Sequence, residues 1–305
     1  MQEAIAKANT LIEALGYIQR FADRIVVVKV GGSLMDNEQA FTDLLSDVVF
    51  MNTVGMRPVI VHGGGKAITN AMEKRGLKVQ FVQGRRYTDQ RTLNVVEHVL
   101  CNEVNRAIVA TIETLGSSAM GLHTLSSCVL FGERLFLEED GRKIDLGLVG
   151  RITSVNARLV ELLCQADTVP VLAPLARDKT GTRLNCNADT AAGEVAAALR
   201  AEKFVVVSDT HGVRRDPDDP DSLIDRVGEE EIRKLVADGV ISGGMMPKVE
   251  ACLRALEAGV NRAHIIDGHI PHALLLEIFS HRGVGTLIQK QGPGTGDQGP
   301  GANER

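Results

Sequence analysis

Residues 25–33 read IVVVKVGGS, and the fold follows from them. Ile25, Val26, Val27, Val28 and Val30 make a nearly unbroken β-branched run. A run without polar alternation suits a strand covered on both faces, as in a parallel sheet between helices. Lys29 interrupts it near its end. A buried ammonium is costly unless an anion meets it. Gly31 and Gly32 follow at the carboxyl end of the strand, where open α/β sheets bind ligands. Glycines there let backbone N–H groups come close to an anion. Taken alone, an edge-strand lysine beside an ordinary turn is the alternative.

The same grammar recurs at residues 58–65, PVIVHGGG: a strand at 58–62, three glycines, then a helix near 66–74. Strand, glycines and helix in this order form an anion site at a helix N-terminus. Three consecutive glycines are entropically expensive for a simple turn. His62 reads as a structural hydrogen-bonder. Further strands are expected at 168–172, 204–208, 263–266 and 286–288, with short strands over 118–136 turning at Gly132 and more strand at 145–155. Helices are expected at 39–53, 92–115, 157–165, 188–199, 229–237, 248–258 and 271–279. Alternating apolar strands and helices predict an α/β protein, a three-layer αβα sandwich with a central, mainly parallel sheet. Two lobes are expected, 25–201 and 202–290. Residues 1–24 read as a helix with Ile5, Ala8, Ile12, Leu15 and Ile18 near one face and Gly16 as a candidate kink. That face packs on its own domain or on another subunit. Residues 291–305 (QGPGTGDQGPGANER) read as a disordered tail.

Composition narrows the classes. The 305 residues are 44% hydrophobic and 24% charged, which excludes wholesale disorder. Lys and Arg number 34 against 39 Asp and Glu, a net charge of −5 that argues against general nucleic-acid binding. Trp is absent and Tyr17 and Tyr87 are the only tyrosines, so base-stacking platforms are not expected. No apolar run approaches the roughly 18–20 residues that span a bilayer, and no secretory signal is read at the N-terminus. Cys101, Cys128, Cys164, Cys186 and Cys252 are scattered without a C-x-x-C pair. They suggest neither a zinc site nor a redox dithiol, and fit buried thiols in a reducing cytoplasm. The Walker A pattern fails, because Gly65-Lys66 is followed by Ala67. H-E-x-x-H and G-x-S-x-G are also missing. Any phosphate chemistry uses another loop design.

Four more clusters carry candidate chemistry. Gly84-Arg85-Arg86-Tyr87-Thr88-Asp89 offers a guanidinium fork for a carboxylate, or a surface arginine pair. Asn185-Cys186-Asn187-Ala188-Asp189 opens an Ala-rich helix. Helix capping explains one of its three polar residues; a carboxylate there can order two lysines or meet a magnesium-bearing nucleotide. In Ser242-Gly243-Gly244-Met245-Met246-Pro247-Lys248, Pro247 suits the start of a helix and puts Lys248 in its first turn. A cation there opposes the helix dipole, which makes sense with phosphate between them. Ser208-Asp209-Thr210-His211-Gly212 sits at a strand end, where Asp209 holds a nucleotide or caps a turn. The loop from Asp216 to Asp221 reads as solvated.

Taken in order, VKVGGS, VIVHGGGKAI, GRRYTD, DLGLVG (145–150), NCNADT, SGGMMPKVEACL and HIIDG (264–268) resemble the amino-acid kinase family, and within it the branch acting on N-acetyl-L-glutamate. The resemblance runs from about residue 8 to about residue 289. It implies the amino-acid kinase fold and in-line phosphoryl transfer from ATP to the γ-carboxylate of N-acetyl-L-glutamate, the second step of arginine biosynthesis. Magnesium would be held mainly by the nucleotide, with no metal site of the protein's own. By the resemblance, Lys29 and Lys248 stabilise the transition state from the acceptor and nucleotide sides, and Asp189 orients both. Gly64, Gly65, Arg86 and Asn185 match acetylglutamate-binding residues. Gly31, Gly32, Asp209 and Gly244 match phosphate- or nucleotide-binding positions. Two departures stand out: the nucleotide motif, usually T-D-V/I-x-G, here reads Ser208-Asp209-Thr210-His211-Gly212, and in the central motif, usually N-V/I-N-A-D, Cys186 replaces the branched residue. The N-terminal helix and the stretch from Glu277 to Thr286 resemble arginine-inhibited members. That implies feedback by L-arginine near Tyr17, Glu277 and Gly283, and a hexamer built as a trimer of dimers. A nitrogen-signalling protein as a further partner is left open. The alternatives are a sister kinase of another carboxylate or carbamate, and a catalytically silent ligand-binding subunit.

Overall fold

Alternate residues of strand β1 (Ile25–Val30) enter two different cores. Val26, Val28 and Val30 pack on one side of the sheet and Val27 on the other. Burial on both faces is why this strand lacks polar alternation. The computed structural model describes residues 1–139, 141–216, 219–280 and 283–290. In chain order they form α1 (Gln2–Phe21), β1, α2 (Glu38–Thr53), β2 (Arg57–His62), α3 (Gly65–Lys74), β3 (Phe81–Val82), β4 (Arg85–Arg86), α4 (Gln90–His98), a π-helical segment (Val99–Asn105), α5 (Arg106–Thr114), β5 (Ser118–Leu122), β6 (Leu130–Glu139), β7 (Arg142–Val155) and α6 (Ala157–Gln165). There follow β8 (Thr168–Leu172), β9 (Leu175–Arg177), β10 (Arg183–Cys186), α7 (Ala188–Ala198), β11 (Lys203–Ser208), β12 (Arg226–Gly228), α8 (Glu229–Ala237), α9 (Met246–Glu257), β13 (Arg262–Asp267), α10 (Ala273–Phe279) and β14 (Thr286–Gln289).

Eight strands make one sheet in the order β12-β14-β13-β11-β1-β2-β8-β5. Its pairs are parallel except β13 with β14. Helices α6, α7, α8 and α9 bury side chains against one face, and α2, α3, α4, α5 and α10 against the other. The molecule is therefore an αβα sandwich, with a small closed barrel of β10, β7, β6 and β9 beside it. β1 lies at the centre. The chain first builds outward from it through β2 and later returns to its other side with β11. The register aligns Val30 with His62 and with Val207, and Ser208 with Asp267. The carboxyl ends of four neighbouring strands thus share one edge, at the point where the winding reverses. Ligand sites of open α/β sheets form at such a point.

The structure departs from the sequence reading at three places. Residues 92–115 are not one regular helix, because Val99–Asn105 widens to π geometry between α4 and α5. Gly132 is not a turn. It lies inside β6 at a register shift, where a Cβ would collide with the Arg151 carbonyl oxygen; glycine permits the close strand approach at a bulge. Helix α1 runs through Gly16, which marks no break in it. Of the two packings open to its apolar stripe, the one on its own domain is not seen for Ile5, Ile12 and Leu15, which stay 51%, 70% and 44% exposed; among the described side chains of α1, Tyr17 and Phe21 reach the core. The tail expected at 291–305 lies outside the described residues. Among the described residues no helix is long and apolar enough to cross a membrane.

Candidate active site

The loop after β1 lies against the loop after β2. Gly63 N donates to the Val30 carbonyl at 2.9 Å, and Gly31 N to the Val207 carbonyl at 3.2 Å. A Cβ on Gly32 would sit 3.1 Å from Gly65 N and 3.2 Å from Gly64 N. The backbone nitrogens that start α3 therefore crowd against Gly32, a contact that only a residue without a side chain allows freely. On Gly64 a Cβ would lie 2.7 Å from Leu100 Cδ2.

Lys29 follows its strand's alternation onto the α7 side and meets an anion there. Its Nζ lies 2.8 Å from Asp189 Oδ1, in the first turn of α7, with both side chains largely buried. Asn187 caps that helix by accepting from Thr190 N at 2.9 Å. Capping thus explains Asn187, and Asp189 is left for Lys29. The same cavity is lined by Gly32, Gly64, Gly65, Arg86 and Asn185, and holds about 220 Å³.

Arg86 is not a surface residue. It is buried, and its guanidinium donates to Gly65 O at 3.0 Å and Thr69 Oγ1 at 2.7 Å, and lies over the Phe81 ring. These partners are neutral, and burial lowers its pKa. A buried cation answered only by neutral groups in a cavity wall is suited to receive a carboxylate. Asn185 Nδ2 donates to Thr88 Oγ1 at 3.1 Å.

A second cavity of about 410 Å³ opens beyond the ends of β11 and at the start of α9. Its polar side has Asp209, Thr210, His211 and Ser242; its apolar floor has Val213, Val240, Ile241 and Met245. Lys248 lies in the first turn of α9, half-buried, with Nζ donating to the Gly244 carbonyl at 2.8 Å. Burial lowers its ammonium pKa; Asp189 and Asp209 oppose that shift, and Lys29 adds to it. For Asp209, burial pushes upward but is outweighed by hydrogen bonds from its own amide and Ser208, by Lys248 and by the Ser33 hydroxyl, so the net direction is down. The cleft thus couples both lysines, both aspartates and the first glycine loop. Two unit charges 4 Å apart interact by about 1 kcal/mol in water and about 4 kcal/mol at an effective dielectric constant of 20. The arrangement suits holding two anions close together and neutralising charge between them. No group of three or more His, Cys, Asp or Glu among the described residues is arranged to hold a metal ion.

Sequence reasoning named His62 and missed its partner. His62 is fully buried, with Nδ1 3.0 Å from the Gly63 carbonyl and Nε2 3.1 Å from Asn105 Nδ2. Asn105 also donates to Val171 O at 2.9 Å. Burial brings the imidazole down to about 4, so it serves as a neutral strut under the glycine loop.

Tyr17, Glu277 and Gly283 come together around a third, small cavity of about 40 Å³, with Lys203 and His264. Glu277 is already engaged. One oxygen lies 2.6 Å from His264 Nδ1; the other accepts from Val284 N at 2.7 Å and Gly285 N at 3.1 Å. A Cβ on Gly283, where φ is +58°, would strike Glu277 Oε2 at 2.6 Å. His281 and Arg282 of this stretch lie outside the described residues.

Comparison with known proteins adds names. The model of the amino acid kinase family matches residues 24–267. An acetylglutamate kinase of Heliobacterium modesticaldum is 44% identical over 95% of this chain and 100% of its own length. One of Synechococcus sp. is 46% identical over 95% and 94%. Among solved structures, N-acetylglutamate synthase from Neisseria gonorrhoeae complexed with coenzyme A and N-acetyl-glutamate superposes with a TM-score of 0.81 at 23% identity, over 93% of this chain and 63% of that one. The same synthase complexed with coenzyme A and L-arginine gives 0.78 at 22% identity, over 93% and 65%. This chain spans less than two thirds of the synthase, and at that identity the likeness speaks to the fold.

Proposed function

The chain belongs to the amino acid kinase family, and from that premise we propose that it phosphorylates the γ-carboxylate of N-acetyl-L-glutamate with ATP, in the second step of arginine biosynthesis. The observation that carries this reading is the buried Lys29–Asp189 pair in a cavity that also holds a buried arginine, next to the end of β11, where a second cavity with an apolar floor opens toward the start of α9. The near full-length likeness to acetylglutamate kinases supports the choice of acceptor.

The acceptor carboxylate is already a nucleophile at neutral pH, so no general base is required. Catalysis then consists of bringing two anions into line and neutralising the migrating phosphoryl group. Arg86 and Asn185 hold acetylglutamate, with Gly64 and Gly65 contributing backbone contacts. Gly31 and Gly32 line the phosphoryl path. Lys29 neutralises charge from the acceptor side and Lys248 from the nucleotide side, while Asp189 keeps both pointed inward. Asp209 and Gly244 belong to the ATP side, and magnesium enters with the nucleotide as part of the substrate. We assign residues 25–201 to the acceptor lobe and 202–290 to the ATP lobe. A cytoplasmic setting fits the five free thiols, four of them buried.

Regulation by L-arginine belongs to the same proposal, with Tyr17, Glu277 and Gly283 around the effector. Effector binding there must compete with the bonds Glu277 already makes.

The test is a kinase assay with N-acetylglutamate, glutamate, aspartate and carbamate as acceptors, on the native chain and on Lys29→Ala and Lys248→Ala. Activity is expected with N-acetylglutamate above the others, and either variant is expected to lose turnover by about a hundredfold or more with a much smaller change in the KM for acetylglutamate. A preference for another acceptor would move the assignment to a sister kinase. Turnover surviving both substitutions would remove the lysines from their roles, and no transfer to any acceptor would favour a silent ligand-binding subunit.

A further inference from the structure

Asp267, at the end of β13, is almost wholly buried between two imidazoles. His211 Nδ1 lies 2.8 Å from its Oδ2. His269 Nδ1 and His269 N each lie 2.9 Å from its Oδ1. A carboxylate only accepts hydrogen bonds, so in this geometry each Nδ1 carries a proton, and a His211 ring with that single proton presents Nε2 as an acceptor. That ring is not buried in the protein: its side chain is 54% exposed and lines the cavity beyond β11.

The loop that carries it is fixed from both sides. Gly268 N donates to the Ser208 carbonyl at 2.9 Å, and Val213 N to Thr286 Oγ1 at 2.8 Å. Gly212, at φ +128°, has Thr286 Oγ1 2.6 Å from where a Cβ would be. The acceptor is therefore pre-aimed rather than free to swing, which limits the ordering cost of using it. Asp209 lines the cavity and is held ionised in part by Lys248 at the start of α9, an end suited to phosphates and magnesium, while the apolar floor suits a base. His211 lines the same cavity.

We propose that His211 selects the nucleotide, its Nε2 accepting a hydrogen bond from a donor on the nucleoside of ATP, with Asp267 as the positioning residue that sets its tautomer and direction. The proposal rests on the reading of this cavity as the ATP site. The donors a nucleoside offers are its ribose hydroxyls and the exocyclic amine of adenine, and analogues lacking one of them distinguish these.

The test is steady-state kinetics of the full chain with ATP, 2′-deoxy-ATP, 3′-deoxy-ATP and inosine triphosphate, on the native protein, His211→Ala, His211→Gln, Asp267→Asn and Val240→Trp. For His211→Ala the KM for ATP is expected to rise about three- to tenfold, the range of one lost hydrogen bond, with saturated turnover and the KM for acetylglutamate changed less than twofold. The native protein should discriminate against the one analogue that lacks the donor, and His211→Ala should lose that discrimination alone. His211→Gln, which keeps an acceptor near the Nε2 position, should recover part of the loss. Asp267→Asn should shift the KM for ATP in the same direction; if it does not fold, the two His211 variants carry the test. A KM for ATP within twofold of native in His211→Ala, or unchanged discrimination against every analogue, overturns the proposal. Val240→Trp fills the cavity floor and separates the two readings. If it raises the KM for ATP while His211→Ala does not, the His211 assignment alone fails. If it leaves the KM for ATP unchanged, the cavity is not the ATP site and both readings fall.

Discussion

Two buried cations flank the central cleft, and the sequence announced them unequally. Lys29 stands out as the one charge in an apolar strand, and its anion is Asp189 at 2.8 Å. Removing one partner of a buried ion pair typically costs about 3–5 kcal/mol, so Asp189 supports the fold as well as the site. Arg86 lies in a short motif that reads equally well as a surface pair. Only the packing of Phe81, Met72 and Thr69 around it makes it a buried cation. His62 yields a pH prediction. Its imidazole falls from the ordinary 6.5 to about 4, chiefly through burial, with His123 adding to the shift and the Gly63 carbonyl opposing it. A depressed folded-state pKa means that below about pH 6.5 the unfolded chain takes up a proton the native state refuses. The contribution to stability is therefore complete above pH 6.5 and is lost as pH falls toward 4. Between pH 7 and pH 5 the native protein should lose about 2 kcal/mol from this residue. Urea unfolding at the two pH values, on the native chain and on His62→Gln, measures it. An equal loss in the variant would show that His62 is not the group responsible.

At the scale of elements, the strands that carry glycine loops were legible because burial on two faces and a charge at the end leave few other readings. The π segment was not read, although its signature is present. Val96, Leu100, Val104, Ile108 and Ile112 recur at intervals of four, and all are buried. At 3.6 residues per turn each step of four overshoots by about 40°, and four steps drift by about 160°. A straight α-helix would carry the stripe off the core. The wider turn at Val99–Asn105 absorbs the drift and keeps every member inside. Such insertions are often found at functional sites, and here the segment does two jobs. Leu100 closes over Gly64, and Asn105 reaches His62 Nε2 and the Val171 carbonyl. No local pattern links residues 62 and 105, so that pairing becomes visible only once the helices are packed. Asn105→Leu roughly preserves volume, strips His62 Nε2 of its side-chain partner and removes one donor from the Val171 carbonyl. At about 1–3 kcal/mol for the orphaned imidazole nitrogen, the expected loss is about 1–3 kcal/mol, read as a lower urea midpoint at unchanged slope. A loss below about 0.5 kcal/mol would show that water or a rearranged neighbour satisfies the imidazole.

At the scale of the whole molecule, α1 presents a question the single chain does not answer internally. Tyr17 and Phe21 tie its C-terminal end to the core, and the Tyr17 ring meets Phe279 edge-on at 6.2 Å. The stretch before them carries Ile5, Leu11, Ile12 and Leu15 into solvent. An exposed apolar stripe on an amphipathic helix costs solubility unless another surface covers it. The same helix borders the small cavity around Glu277, so an assembly contact along one half of α1 and an effector beneath the other would share a lever. If two copies join through this stripe, displacing α1 changes the geometry between them. Arginine bound near Tyr17 would then act on the assembly as well as on its own chain. Substituting Ile5, Ile12 and Leu15 together by Ser removes the stripe without touching a buried residue. Light scattering should then shift from about six times 32.8 kDa to about twice that mass, with activity on acetylglutamate preserved. Arginine titrated against activity should inhibit the native chain and inhibit the triple variant less, with the midpoint raised several-fold. Unchanged mass would detach α1 from assembly. Unchanged inhibition together with a changed mass would place the effector response within one chain, in the contacts of Glu277 with His264 and the Val284 and Gly285 amides alone.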